Sequence, residues 1–187
     1  MVVVSQQERE AVLKIFPIIL EITDTELQEK VIRTWVRVWQ ESKVASLEDV
    51  YNEKEHPQFT VVAHTRATAG AALAMAGAFE AEYGFSINRD YLIAAGILHD
   101  VDKPVVFQMK EGKMIPSEFG RLVPHGGYGF LVAMEEGLPY EIAHICLTHA
   151  GTCTVHPGTH EGILLEYADK AVARALRVAH GEILPAK

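Results

Sequence analysis

The sequence predicts an all-α domain with one irregular excursion. Three observations carry that class. Apolar residues recur at helical spacing along most of the chain, as in Leu27, Val31, Trp35 and Val38. Residues that cap helices stand at the heads of several such runs. The helical period disappears in one place only, between Lys103 and Pro124.

Taken in order, Ser5 with Glu8 forms a capping-box pattern ahead of a helix reaching about Ile22. Asp24 or Thr25 caps a second helix through Ser42, whose stripe is widened by Ile32, Val36 and Trp39. Ser46 with Asp49 starts a short helical turn, and "EKEHPQF" reads as a loop. A long Ala-rich helix follows from about Thr60 to Tyr83, with Gly70 and Gly77 allowing close approach of neighbours. Asn88 caps a buried helix that ends in His99 and Asp100. Val105, Phe107 and Met109, then "KEGK", then Met114 indicate a small hairpin or flap. Helices resume from His125 to Glu136, from Pro139 to about Ala150, and from about Glu161 to His180. The loop "GTCTVHPGTH" separates the last two. No repeat, low-complexity tract or linker divides the chain. It reads as a single domain over residues 1–187, with an N-terminal helical extension at 1–55 and a core at 60–180.

Composition narrows the function. With 49% apolar and 22% charged residues the chain is an ordinary soluble globular sequence. A net charge of −8 and the lack of a Lys/Arg-rich run argue against a nucleic acid polymer or an anionic membrane as partner. The apolar stretches fall short of a membrane span. "MVVVSQQERE" has no basic lead, so it does not read as a signal peptide. Cys146 and Cys153 are too few for a disulfide framework and read as reduced, buried thiols of a cytoplasmic protein.

The unusual feature is "ILHDVDK", residues 97–103, where a buried helix runs into an imidazole, two carboxylates and an ammonium. Burying such groups is costly unless they are paired or metal-bound. One HD dipeptide also fits a capped helix end. Other candidates join it along the chain. His64 lies among Val61, Val62, Ala63, Ala67 and Ala71. His125 opens a helix, His149 closes one, and Asp169 sits mid-helix beside Leu165, Val172 and Leu176. Each stands on or at the end of a different helix, which is how bundles build metal sites.

The order His64, His99-Asp100, His125, His149, Asp169 resembles the HD superfamily of metal-dependent phosphohydrolases over about residues 60–180. The resemblance implies an HD-domain-like helical bundle with the flap around residues 104–124. It implies one metal on His64, His99, Asp100 and Asp169, and a second on His125, His149 and a bridging Asp100. Four neutral imidazoles and two carboxylates then leave a two-metal centre at about +2, suited to a small anionic, phosphorylated substrate. Such ligands suit iron or manganese, with zinc, nickel or cobalt also possible and magnesium less so. The implied activity is a phosphatase or phosphodiesterase working on a phosphorylated metabolite or nucleotide through a metal-bound hydroxide. Asp100 and Lys103 are the implied catalytic residues, Lys103 by contacting the substrate; on spacing alone Lys103 equally fits a solvated lysine. A di-iron oxygenase on the same ligands, and a non-catalytic binding protein, are the alternatives. The chain departs from the cyclic-dinucleotide branch, with "AGT" after His149 and no "GYP" downstream.

The remaining polar residues receive plainer readings. Asp102 reads as a helix-end surface carboxylate, or else as an acceptor behind a ligand histidine. Pro157 and Gly158 between His156 and His160 argue for a loop, so these two are non-ligands or line the entrance. His56, His144 and His180 lie apart from the pattern. Arg66 and Arg121 read as surface charges, with anion contact as the alternative. Trp35 and Trp39 read as packing of the N-terminal helices or as a homodimer surface.

Overall fold

The computed structural model describes residues 3–53, 56–151 and 153–181. The chain is helical, as expected, with two small antiparallel ribbons. Helix α1 (Gln6–Ile15) carries the full capping box between Ser5 and Glu8. It stops earlier than the periodicity predicts. Pro17 lacks an N–H and disfavours helical backbone at the residue before it. Phe16 accordingly leaves the helix at φ −122° and a 3-10 turn, Pro17–Glu21, follows.

Helix α2 (Thr25–Glu41) is capped by Asp24, which accepts from the amides of Glu26 and Leu27. Its apolar stripe enters the core. Trp35 is fully buried, packs its ring 4.9 Å from that of Phe16, and donates its indole N–H to the carbonyl of Ile97 at 3.0 Å. Trp35 is therefore core and not part of an exposed dimer surface. The stretch read as a loop instead contains strands β1 (Tyr51–Glu53) and β2 (His56–Thr60), with Lys54 and Glu55 outside the described residues. The ribbon is too short and too polar to show a strand period. It is secured at its base, where the amide of Val61 donates to the carbonyl of Val50 at 2.8 Å.

Helices α3 (Val61–Tyr83), α4 (Arg89–Leu98) and α8 (His160–Ala179) pack against one another. Helix α4 is the centre of the bundle: every residue from Leu92 to Leu98 is buried. Gly96 permits this, because a Cβ there would sit 3.0 Å from that of Ala69 on α3. A short helix α5 (Lys103–Val106) then leads into the predicted hairpin, β3 (Phe107–Lys110) and β4 (Lys113–Pro116). Its two-residue turn, Glu111 and Gly112, has φ of 54° and 76°, the type I′ pattern that matches strand twist. Helices α6 (Gly127–Glu135) and α7 (Tyr140–Thr148) complete the bundle. Among the described residues no helix is long and apolar enough to cross a membrane.

Candidate metal centre

His99 and Asp100 leave the end of α4 at the middle of the bundle, and four elements bring partners to them. His99 is fully buried and Asp100 nearly so. Asp100 Oδ1 lies 3.1 Å from His125 Nε2 and 3.4 Å from His149 Nε2. Asp100 Oδ2 lies 3.4 Å from the Nε2 atoms of both His64 and His99. Asp169, on α8, places Oδ1 2.8 Å from His64 Nε2. The six residues singled out in the sequence thus meet in one place. Five of them form two triads that share Asp100, namely His64, His99, Asp100 and Asp100, His125, His149, while Asp169 joins through His64. Within each triad the donor atoms lie within 4.8 Å of one another.

The outer faces of the rings fix which nitrogen points inward. His99 Nδ1 is 2.8 Å from the carbonyl of Gly96, and His149 Nδ1 is 3.0 Å from that of Ile145. A carbonyl only accepts, so both Nδ1 atoms carry the proton. Their Nε2 atoms, when the rings are neutral, present lone pairs to a carboxylate. His149 Nε2 is buried and makes no hydrogen bond among the described residues. His99 Nε2 faces His64 Nε2 at 3.3 Å. Lone pairs crowded on a carboxylate in this way require positive charge between them, either a ring proton or a cation.

A divalent ion fits that requirement. Donors held 2.0–2.2 Å from one ion stand about 2.8–3.6 Å from each other. The separations around Asp100 and His64, from 2.8 to 3.4 Å, fall in that range. Mixed imidazole and carboxylate donors also suit transition metals.

The electrostatics without an ion show how strongly the pocket seeks positive charge. Burial opposes ionisation of Asp100, yet Lys103 and the surrounding imidazoles hold its carboxyl well below the usual range. Burial likewise opposes the His125 imidazolium, but the charges of Asp102 and Asp100 outweigh it and raise the pKa to about 9. His99 is raised against its burial by Asp100. His149 is lowered, first by burial and then by its cationic neighbours.

For two residues the structure decides between the alternatives that the sequence left open. Asp102 is no surface carboxylate. It is fully buried, accepts from His125 Nδ1 at 2.7 Å through Oδ1, and through Oδ2 from the amides of Gly126 and Gly129 at 2.7 and 3.2 Å. It therefore orients a ligand candidate and caps α6 from a distance. The glycines of "HGGYG" were the available signal. Gly126 has φ +86°, and a Cβ there would lie 2.5 Å from the carbonyl of Cys146. Lys103 is buried rather than solvated, with Nζ 2.8 Å from Asp100 Oδ2 and a hydrogen bond to Asn52. No local pattern in the sequence marks Asn52.

The other candidates lie in different company. His144 stacks on Tyr140, and the exposed His156 pairs with Glu166. His160 is near Phe85 and His180 near Phe59. Arg66 donates to the carbonyl of Ile15. The side chain of His56 is outside the described residues.

The profile of the HD domain matches residues 61–174, more than half of the chain. The chain belongs to the HD-domain family. Membership and the His/Asp cluster together point to divalent metal binding. This HD-domain chain is 30% identical over 120 residues to the dihydroneopterin 2',3'-cyclic phosphate phosphodiesterase of Methanocaldococcus jannaschii, covering 64% of its own length and 48% of the relative's. The chain thus spans about half the length of that curated relative. No solved structure matches the HD-domain chain.

Proposed function

We propose that the protein is a metal-dependent phosphohydrolase that cleaves a small phosphorylated metabolite or nucleotide. The observation that carries the reading is the pair of triads joined at Asp100. Such an arrangement suits two ions sharing one carboxylate. His64, His99, Asp100 and Asp169 would hold one ion, and His125, His149 and Asp100 the other. Iron or manganese is the assignment, with zinc, nickel and cobalt compatible and magnesium less so. When bound, such ions polarise a phosphoryl oxygen and supply a water of lowered pKa as nucleophile.

The chain's own residues do the rest. Asp100 keeps its negative charge because Lys103 and the imidazoles stabilise it. Asp102 holds the His125 proton at Nδ1, leaving Nε2 free to ligate. Lys103 brings an ammonium to the edge of the cluster, where it neutralises a phosphoryl oxygen. The name of the archaeal relative supports a phosphodiester, and a cyclic phosphate in particular, as the first substrate class to examine.

The test is metal analysis of anaerobically purified protein, followed by a panel of cyclic phosphodiesters, linear phosphodiesters and phosphomonoesters. Turnover should require loaded metal and stop with a chelator. A loaded protein that hydrolyses none of them, but takes up oxygen on addition of a substrate, would replace this reading with the di-iron oxygenase.

A further inference from the structure

Asn52 lies before residue 61, where the HD-domain match begins, yet it reaches the centre. It stands on β1, where the pairing register shifts between Tyr51 and Glu53, and its burial and its contact with Lys103 show that it faces inward. Tyr51 is partly exposed and Asn52 is 6% exposed. The ribbon is anchored at its base. Tyr51 pairs with Thr60, and the bond from Val61 to Val50 ties the ribbon to the helix that carries His64. The inward side chain meets Lys103, whose Nζ donates to Asn52 Oδ1 and lies 2.8 Å from Asp100 Oδ2.

We propose that Asn52 is a positioning residue for Lys103, contributed to the HD-domain centre by the N-terminal segment. The proposal rests on the reading of Lys103 as a contact for a phosphoryl oxygen. An ammonium has three donors and turns freely about its last bond. Asp100 and Asn52 occupy two of those donors and so aim the third. The chemistry also favours an amide over a carboxylate. Asn52 supplies an acceptor without charge, so the Lys103–Asp100 pair keeps its positive side for an anion. An aspartate there would close the ammonium between two negative groups and repel phosphate.

The test uses manganese-loaded protein and inorganic phosphate, with affinity measured by calorimetry, so that it needs no turnover. The variants are Asn52→Ala, Lys103→Ala and the double substitution, with metal content measured on each. Asn52→Ala and Lys103→Ala should each weaken phosphate binding about five- to tenfold while retaining manganese. The double variant should be no weaker than Lys103→Ala, since the two act as a unit. Asn52→Asp keeps the acceptor but adds a charge, and should weaken phosphate through repulsion while manganese is retained; the double-variant comparison is what separates positioning from a purely structural role. Full additivity in the double variant, unchanged affinity in Asn52→Ala, or loss of manganese in Asn52→Ala would each overturn the positioning role alone. Wild-type affinity in Lys103→Ala, or no phosphate binding by the native protein, would remove the phosphate-contact reading first and the proposal with it.

Discussion

Asp102 accepts the Nδ1 proton of His125 at 2.7 Å, and its second oxygen takes the amides of Gly126 and Gly129. One buried carboxylate thus sets both the tautomer of a ligand candidate and the start of the helix behind it. Asp102→Asn nearly preserves the shape but removes the charge and turns an amide N–H toward one of these donors. We expect the His125 side of the centre to lose metal affinity by about 10–100-fold, with the His64 side retained. Metal stoichiometry should fall from two ions towards one. Two ions bound at wild-type affinity would refute the coupling.

Asp100→Asn should be more severe. Asp100 belongs to both triads, and its carboxylate is what the four Nε2 atoms surround. Metal and phosphohydrolase activity should be lost together, read by elemental analysis and by kinetics on the same preparation. Full occupancy with normal activity would end the HD-type reading of this cluster.

Metal affinity should keep rising with pH beyond the range of an ordinary histidine. His125 must shed its proton to ligate, and the neighbouring carboxylates raise its pKa to about 9 in the metal-free protein. Manganese affinity, measured anaerobically at about pH 6.5, 7.5 and 8.5, should increase up to about tenfold per unit. The metal-free protein should show the opposite trend. A raised folded pKa stabilises fully below the unfolded value near 6.5, and that stability is lost as pH climbs through about 9. Its melting temperature should therefore fall over this window. An affinity that is flat from about pH 7 to 8.5 would contradict the raised pKa on which both halves depend.

Trp35→Phe probes the support behind the centre. The indole N–H satisfies the carbonyl of Ile97, two residues before His99, at a fully buried site. Phenylalanine leaves that carbonyl without its partner and opens a small void, at a cost of about 1–3 kcal/mol. Denaturant unfolding should show a lower midpoint with an unchanged slope. A wild-type midpoint would mean that the bond contributes nothing net.

The elements of this chain are legible in the sequence because caps and helical periods are local. Ser5, Asp24 and Asn88 each cap the helix expected of them, since a cap needs only its own next three amides. Pro17 is equally local, and it wins over the apolar period at the end of α1 because a missing donor cannot be compensated by spacing. The six metal-ligand candidates are visible through family resemblance, not through periodicity, which is silent on which helices face one another. The tertiary structure alone decided the rest. Asp102 fits a surface carboxylate as well as an acceptor behind a histidine until α6 packs its glycine-lined start against it. Asn52 lies in a short polar stretch that carries no strand period, and Lys103 fits a solvated lysine as well as a substrate contact until that stretch covers it. Burial and hydrogen-bond partners depend on which elements pack together, and for these three residues the deciding partner lies more than a helix away in the chain.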